Sequence, residues 1–95
     1  MEQLDWRKLV QLANQKVSLR TKTNIPFQII DSTENTLIIR VSSGNDLTIS
    51  RVNLEKAVQK LRAGVVISGP QDYKDKVADD RPAYAWAILR ELGCL

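Results

Sequence analysis

The chain contains no histidine and one cysteine, Cys94, in 95 residues. These two absences exclude Ser-His-Asp and Cys-His catalysis, zinc sites built from histidine and cysteine, and any internal disulfide. Glycine (4), proline (3) and aromatic residues (5%) are also sparse, so collagen-like and low-complexity architectures do not arise. No apolar run approaches the roughly 18 residues that a membrane span requires. The opening Met1-Glu2-Gln3-Leu4-Asp5-Trp6 lacks the basic start and apolar stretch of a secretory signal. A cytoplasmic location with no membrane partner is therefore expected. What the chain does have, 43% hydrophobic and 26% charged residues, suits a single folded domain spanning residues 1–95.

The net charge of +3 is too small to imply a nucleic-acid partner, but its distribution is uneven. Arg7, Lys8, Lys16, Arg20 and Lys22 meet no acid between Arg7 and Ile30, and Arg51, Lys56, Lys60 and Arg62 are opposed only by Glu55. Brought together by the fold, the two blocks would make a phosphate-binding face. Kept apart, they are ordinary solvated surfaces.

Periodicity predicts an α+β fold. Asp5 has the position of a helix N-cap, with Leu4 and Leu9 spaced to pack across it. Trp6, Leu9, Val10, Ala13 and Val17 then follow a helical period that fades near Asn14 to Ser18. Ser18 to Asn24 reads as a polar connection. Three short strands follow: Ile25, Phe27 and Ile29; then Leu37, Ile39 and Val41; then Leu47 and Ile49. The turn-rich stretches 31–35 and 42–46 between them make an antiparallel meander the simplest topology. Ser50 caps a second helix with Leu54, Ala57, Val58 and Leu61 inward and Gly64 as its stop. Val65-Val66-Ile67 has the composition of a fourth strand, although Gly69-Pro70 ends it at once. Residues 69–81 read as an acidic connection, and Pro82 opens a last helix that Gly93 ends. The expected architecture is an N-terminal helix, a three-stranded meander and two C-terminal helices packed on one sheet face.

Catalytic and cofactor motifs are incomplete. Gly64 to Gly69 has the glycine spacing of a phosphate-binding loop, yet Pro70 stands where the phosphate-contacting lysine belongs. Asp72-Tyr73-Lys74 fits the acid-any-lysine tripeptide of Mg²⁺-dependent nucleases, which needs a second carboxylate, and Asp31 is the candidate. Asp72, Asp75, Asp79 and Asp80 lack the alternating ligands of a calcium loop. No catalytic residue, metal or small-molecule cofactor is expected. Trp6 falls on the inward stripe of its helix. Tyr84 and Trp86 lie about 200° apart on theirs, which leaves Trp86 as the candidate exposed anchor for a protein interface.

Ile39-Arg40-Val41-Ser42-Ser43-Gly44, then Ile49-Ser50-Arg51 leading into Leu54-Glu55-Lys56-Ala57, then Pro82-Ala83-Tyr84 before Ala87-Ile88-Leu89, resemble small bacterial α+β modules. Such modules occur beside or within restriction-type DNA-processing proteins, and the resemblance spans roughly residues 25–92. It implies an accessory, non-catalytic role in DNA association or protein docking. The expectation is weak binding to the backbone of DNA or RNA through Arg51, Lys56, Lys60 and Arg62, helped by Lys16, Arg20 and Lys22. The competing expectation is a protein-interaction or homodimerisation module that uses Trp86 and a sheet edge and binds no nucleic acid.

Overall fold

Asp5 starts the first helix, its Oδ1 accepting the Lys8 backbone N–H at 3.1 Å. The computed structural model describes residues 4–77 and 81–93. Helix α1 (Trp6–Asn14) buries Leu9, Leu12 and Ala13. It ends without a glycine: Lys16 takes the left-handed conformation (φ 52°) while its N–H reaches Ala13 O and that of Val17 reaches Leu12 O. These two bonds are the usual closure of a helix C-terminus, normally built around glycine. They turn the chain directly into a strand.

That strand, β1 (Ser18–Arg20), lies in the stretch expected to be a connection. Only Leu19 of its three residues is buried, too few for alternation to register in the sequence. Strands β2 (Pro26–Ser32), β3 (Thr36–Val41) and β4 (Asp46–Ser50) complete a sheet of order β1-β2-β3-β4 in which every neighbouring pair is antiparallel. The meander is as expected, with four strands rather than three. Leu19 faces Phe27, Ile29 faces Ile39 and Leu37 faces Ile49. These six side chains are buried and form the inner face. Gln28, Ile38, Arg40 and Thr48 occupy the other face, where Arg40 and Asp46 pair at 2.9 Å across adjacent strands.

The outer edge of β4 has a defined pattern. Arg51 N–H bonds Asn35 O and Val41 N–H bonds Asn45 O, which fixes the phase of the β3–β4 ladder. By alternation, Leu47 and Ile49 turn their backbone groups toward β3, and Asp46, Thr48 and Ser50 turn theirs outward.

Ser50 caps α2 (Arg51–Arg62), its Oγ accepting from Asn53 N–H at 3.3 Å. Leu54, Ala57 and Val58 are buried, and Gly64 (φ 91°) closes the helix as expected. Val65 to Ile67 is not a strand; Ile67 points into the core and Val66 is 70% exposed. Residues 70–77 of the acidic connection are in fact helical. Helix α3 (Pro70–Val77) buries Tyr73 and Val77, and Asp72 Oδ2 accepts from Ser68 N–H at 3.0 Å and Ser68 Oγ at 2.9 Å. With two buried side chains in eight residues, its apolar signal is too thin to stand out among Asp72, Lys74, Asp75 and Lys76. Among the described residues there are therefore three helices after the sheet, not two. Asp79 and Asp80 fall outside the described residues.

Helix α4 (Pro82–Glu91) buries five consecutive residues, Ala85 to Leu89. It packs on α3 and also reaches β1, so it has no broad wet face. This enclosure corrects the expectation for Trp86, which is only 8% exposed, while Tyr84 is half-buried with its ring edge-on to Phe27 at 5.1 Å. The buried apolar residues of all four helices and the sheet make one contiguous cluster. Among the described residues, no helix is long and apolar enough to cross a membrane.

The hydrogen bonds from Ser68 and the salt bridge from Lys76 hold the Asp72 carboxyl below the usual carboxylate range. A depressed acid contributes stability that is present above its unfolded-state pKa and lost as pH falls through the folded value. Asp72→Asn is therefore expected to lower the urea midpoint at pH 7 and to converge with the parent between roughly pH 5 and pH 2. Parallel midpoint curves over that interval would show that the carboxylate contributes nothing.

Candidate nucleic-acid interface

The seven cations expected to share a phosphate surface are divided by the fold. β1 leads to Arg20 and Lys22 at one end of the sheet. β4 runs in the opposite direction on the far edge, about 14 Å away at ordinary strand spacing, and delivers Arg51 to the other end. Arg51 and the Arg20–Lys22 pair thus stand at diagonal corners. Lys16 sits at the start of β1, its carbonyl accepting Gln28 Nε2 at 2.8 Å.

Arg51 is committed to the fold. Its Nη1 donates to Glu34 O at 3.0 Å, its Nε lies 3.8 Å from Glu55, and its guanidinium stacks 4.8 Å from the centre of the Trp6 ring. It ties the β2–β3 turn and α1 to the first turn of α2. Lys56, Lys60 and Arg62, by contrast, are exposed and make no ion pair or hydrogen bond among the described residues. On the helix, Arg62 falls about 20° from Arg51, and Lys56 and Lys60 about 140° and 180° from it. Arg51 and Arg62 line a cleft of about 260 Å³ between Leu4 and α2, with Glu55, Val58 and Gln59 as its other walls. Glu55 lies between the two arginines along the helix and offsets part of their charge.

The second cationic group gathers around Trp86. Arg90 lies 4.9 Å and Lys22 5.7 Å from the centre of its ring. Arg90 Nη2 donates to Arg20 O at 2.6 Å, and Lys22 Nζ to Ser68 O at 3.2 Å. Arg90 was absent from the expected cation set because 70 residues separate it from Arg20; no local pattern links them. A tryptophan four residues before an arginine on one helix was the available signal. Trp86 itself sits beneath these cations and is not a projecting anchor.

The metal-dependent arrangement is not assembled. Asp31 Oδ1 accepts from Ser32 N–H toward the β2–β3 turn. Asp72 bonds Ser68, whose carbonyl takes Lys22 at the opposite end of the sheet. Among the described residues no three acidic or sulfur side chains converge on a common point. The glycines of the 64–69 segment have structural duties: Gly64 ends α2, and Gly69 makes room for Lys22. No protein-family model, curated protein or solved structure matches the chain.

Proposed function

We propose that this chain is a non-catalytic accessory domain that binds the phosphate backbone of nucleic acid weakly through the exposed cations of α2, Lys56 and Lys60 on one flank and Arg62 on the other. The supporting observation is that Lys56, Lys60 and Arg62 project from one rigid helix with no partner among the described residues. Such side chains displace the counterions condensed on the nucleic acid without losing an internal bond, and they read charge rather than sequence. Arg51 leaves the contact set because its guanidinium is already engaged.

Magnitude separates this reading from the seven-cation surface. Three phosphate contacts give a slope of log affinity on log salt near −2.7, so raising salt from about 50 to 200 mM weakens duplex binding about fortyfold. Seven contacts would give a slope near −6 and a loss of several thousandfold. Fluorescence anisotropy on labelled duplex and single strands measures the slope. The triple change Lys56→Ala, Lys60→Ala and Arg62→Ala is expected to abolish binding with the fold intact, and Arg51→Ala to affect stability more than affinity. Absence of binding at low salt would end the proposal.

A second reading has its own observation. The outward backbone groups of Asp46, Thr48 and Ser50 suit strand addition by a protein partner or a second copy. It predicts association that is insensitive to salt and to the triple change.

A further inference from the structure

Lys22 and Arg90 place two cations over one buried indole, and neither is in an ion pair among the described residues. Their hydrogen bonds go to backbone carbonyls only: Ser68 O for Lys22 and Arg20 O for Arg90. The nearby Asp72 carboxylate is occupied by Ser68 and Lys76. The ring's negative face compensates part of the charge, but two cations drawn to one ring still repel.

An independent observation points the same way. Trp86 Nε1 is fully buried with no hydrogen-bond partner, on a side chain only 8% exposed. Buried indole N–H groups ordinarily find an acceptor, and an orphaned one is costly. The site has cations in excess of anions and a donor in excess of acceptors.

We propose that this corner is an anion site for a phosphoryl group, separate from the α2 face, with Lys22, Arg90 and the Trp86 N–H as its donors. A tetrahedral oxyanion has enough oxygens to accept from a guanidinium, an ammonium and an indole together. A planar carboxylate can also accept from both cations, but it offers fewer acceptor directions to donors that converge from different sides. The flexible Lys22 and Arg90 chains are exposed and can close on the group, and the Trp86 N–H, sealed from solvent, must be uncovered for the group to reach it. A Cβ at Gly69 would stand 2.9 Å from Lys22 Nζ, the mobile end of that side chain, which would have to shift.

The test follows the Trp86 indole N–H resonance, assigned by its loss in Trp86→Phe, while inorganic phosphate is added at constant ionic strength. A saturable shift with a dissociation constant on the order of millimolar is expected. Acetate should bind more weakly and shift the resonance less. Lys22→Gln combined with Arg90→Gln should weaken phosphate at least tenfold. Gly69→Ala, which displaces the ammonium without removing it, should weaken it several-fold in a folded protein. An absent shift, an equal response to acetate, or unchanged affinity in the double variant overturns the site. A parallel titration with an oligonucleotide, in the Lys56→Ala, Lys60→Ala, Arg62→Ala background, identifies the source. A response assigns the site to phosphodiesters, and a response confined to inorganic phosphate assigns it to a small phosphorylated ligand. Failure of the α2 proposal leaves both readouts untouched.

Discussion

Tyr73→Ala is expected to remove about 3–5 kcal/mol of stability, the usual loss when a large aromatic leaves a packed interior. Its side chain is fully buried, and its hydroxyl donates to Asn53 O in α2 at 3.4 Å. A domain of this size has about 5–15 kcal/mol in total, so thermal unfolding should move down by roughly 15–30 °C. Tyr73→Phe keeps the packing and loses a long hydrogen bond, and is expected to cost about 1 kcal/mol. The pair of variants tests the role of α3 directly. If residues 69–81 were the solvated connection that their composition suggests, both changes would stay within about 0.5 kcal/mol. Chemical denaturation of the two variants beside the parent decides between the two outcomes.

Trp86→Ala is the second large effect, again about 3–5 kcal/mol, because α4 is enclosed on several sides and the void cannot collapse. Trp86→Phe should behave very differently. It forfeits some packing, which costs roughly 1 kcal/mol, and it also removes the orphaned N–H, whose burial penalises the fold by about 1–3 kcal/mol. The two contributions oppose each other, so the net change should lie between about zero and about 2 kcal/mol of stabilisation. A loss in Trp86→Phe as large as that in Trp86→Ala would show that the indole N–H is satisfied in the folded protein. The phosphate site would lose one of its two foundations with it.

Much of the architecture was legible where chemistry is local. Asp5 and Ser50 act as caps at the positions their side chains implied, and Gly64 closes α2. The alternation Phe27, Ile29 and Leu37, Ile39 gave the inner face of the sheet directly. What escaped depended on contacts across the chain. β1 was hidden because Lys16 performs a turn that glycine usually announces, and because a three-residue strand is defined by its partner. α3 was hidden because Tyr73 and Val77 are its only buried residues. The placement of Trp86 failed for a related reason. A helical wheel assumes one wet side, and α4 lies between α3 and the sheet.

The cation surface shows the same boundary. Sequence identified which side chains carry charge, and for Lys56, Lys60 and Arg62 the helix made exposure readable as well. It could not show that Arg51 spends its guanidinium on Glu34 O and Trp6, or that Arg90 joins Lys22 over an indole.

The connectivity of the sheet has a temporal side. Each ladder joins strands that are neighbours in sequence, whereas β1 is covered by α4, with Arg90 reaching Arg20 across 70 residues. A chain leaving the ribosome can therefore zip β2, β3 and β4 as they emerge, and lay α1 and α2 against them. Leu19 and Phe27 wait for α4, which brings Tyr84 against Phe27 and Arg90 against Arg20 in one step. Until that moment the β1 side of the nascent sheet is uncovered, and it is there that a chaperone or a neighbouring chain would find apolar surface to hold.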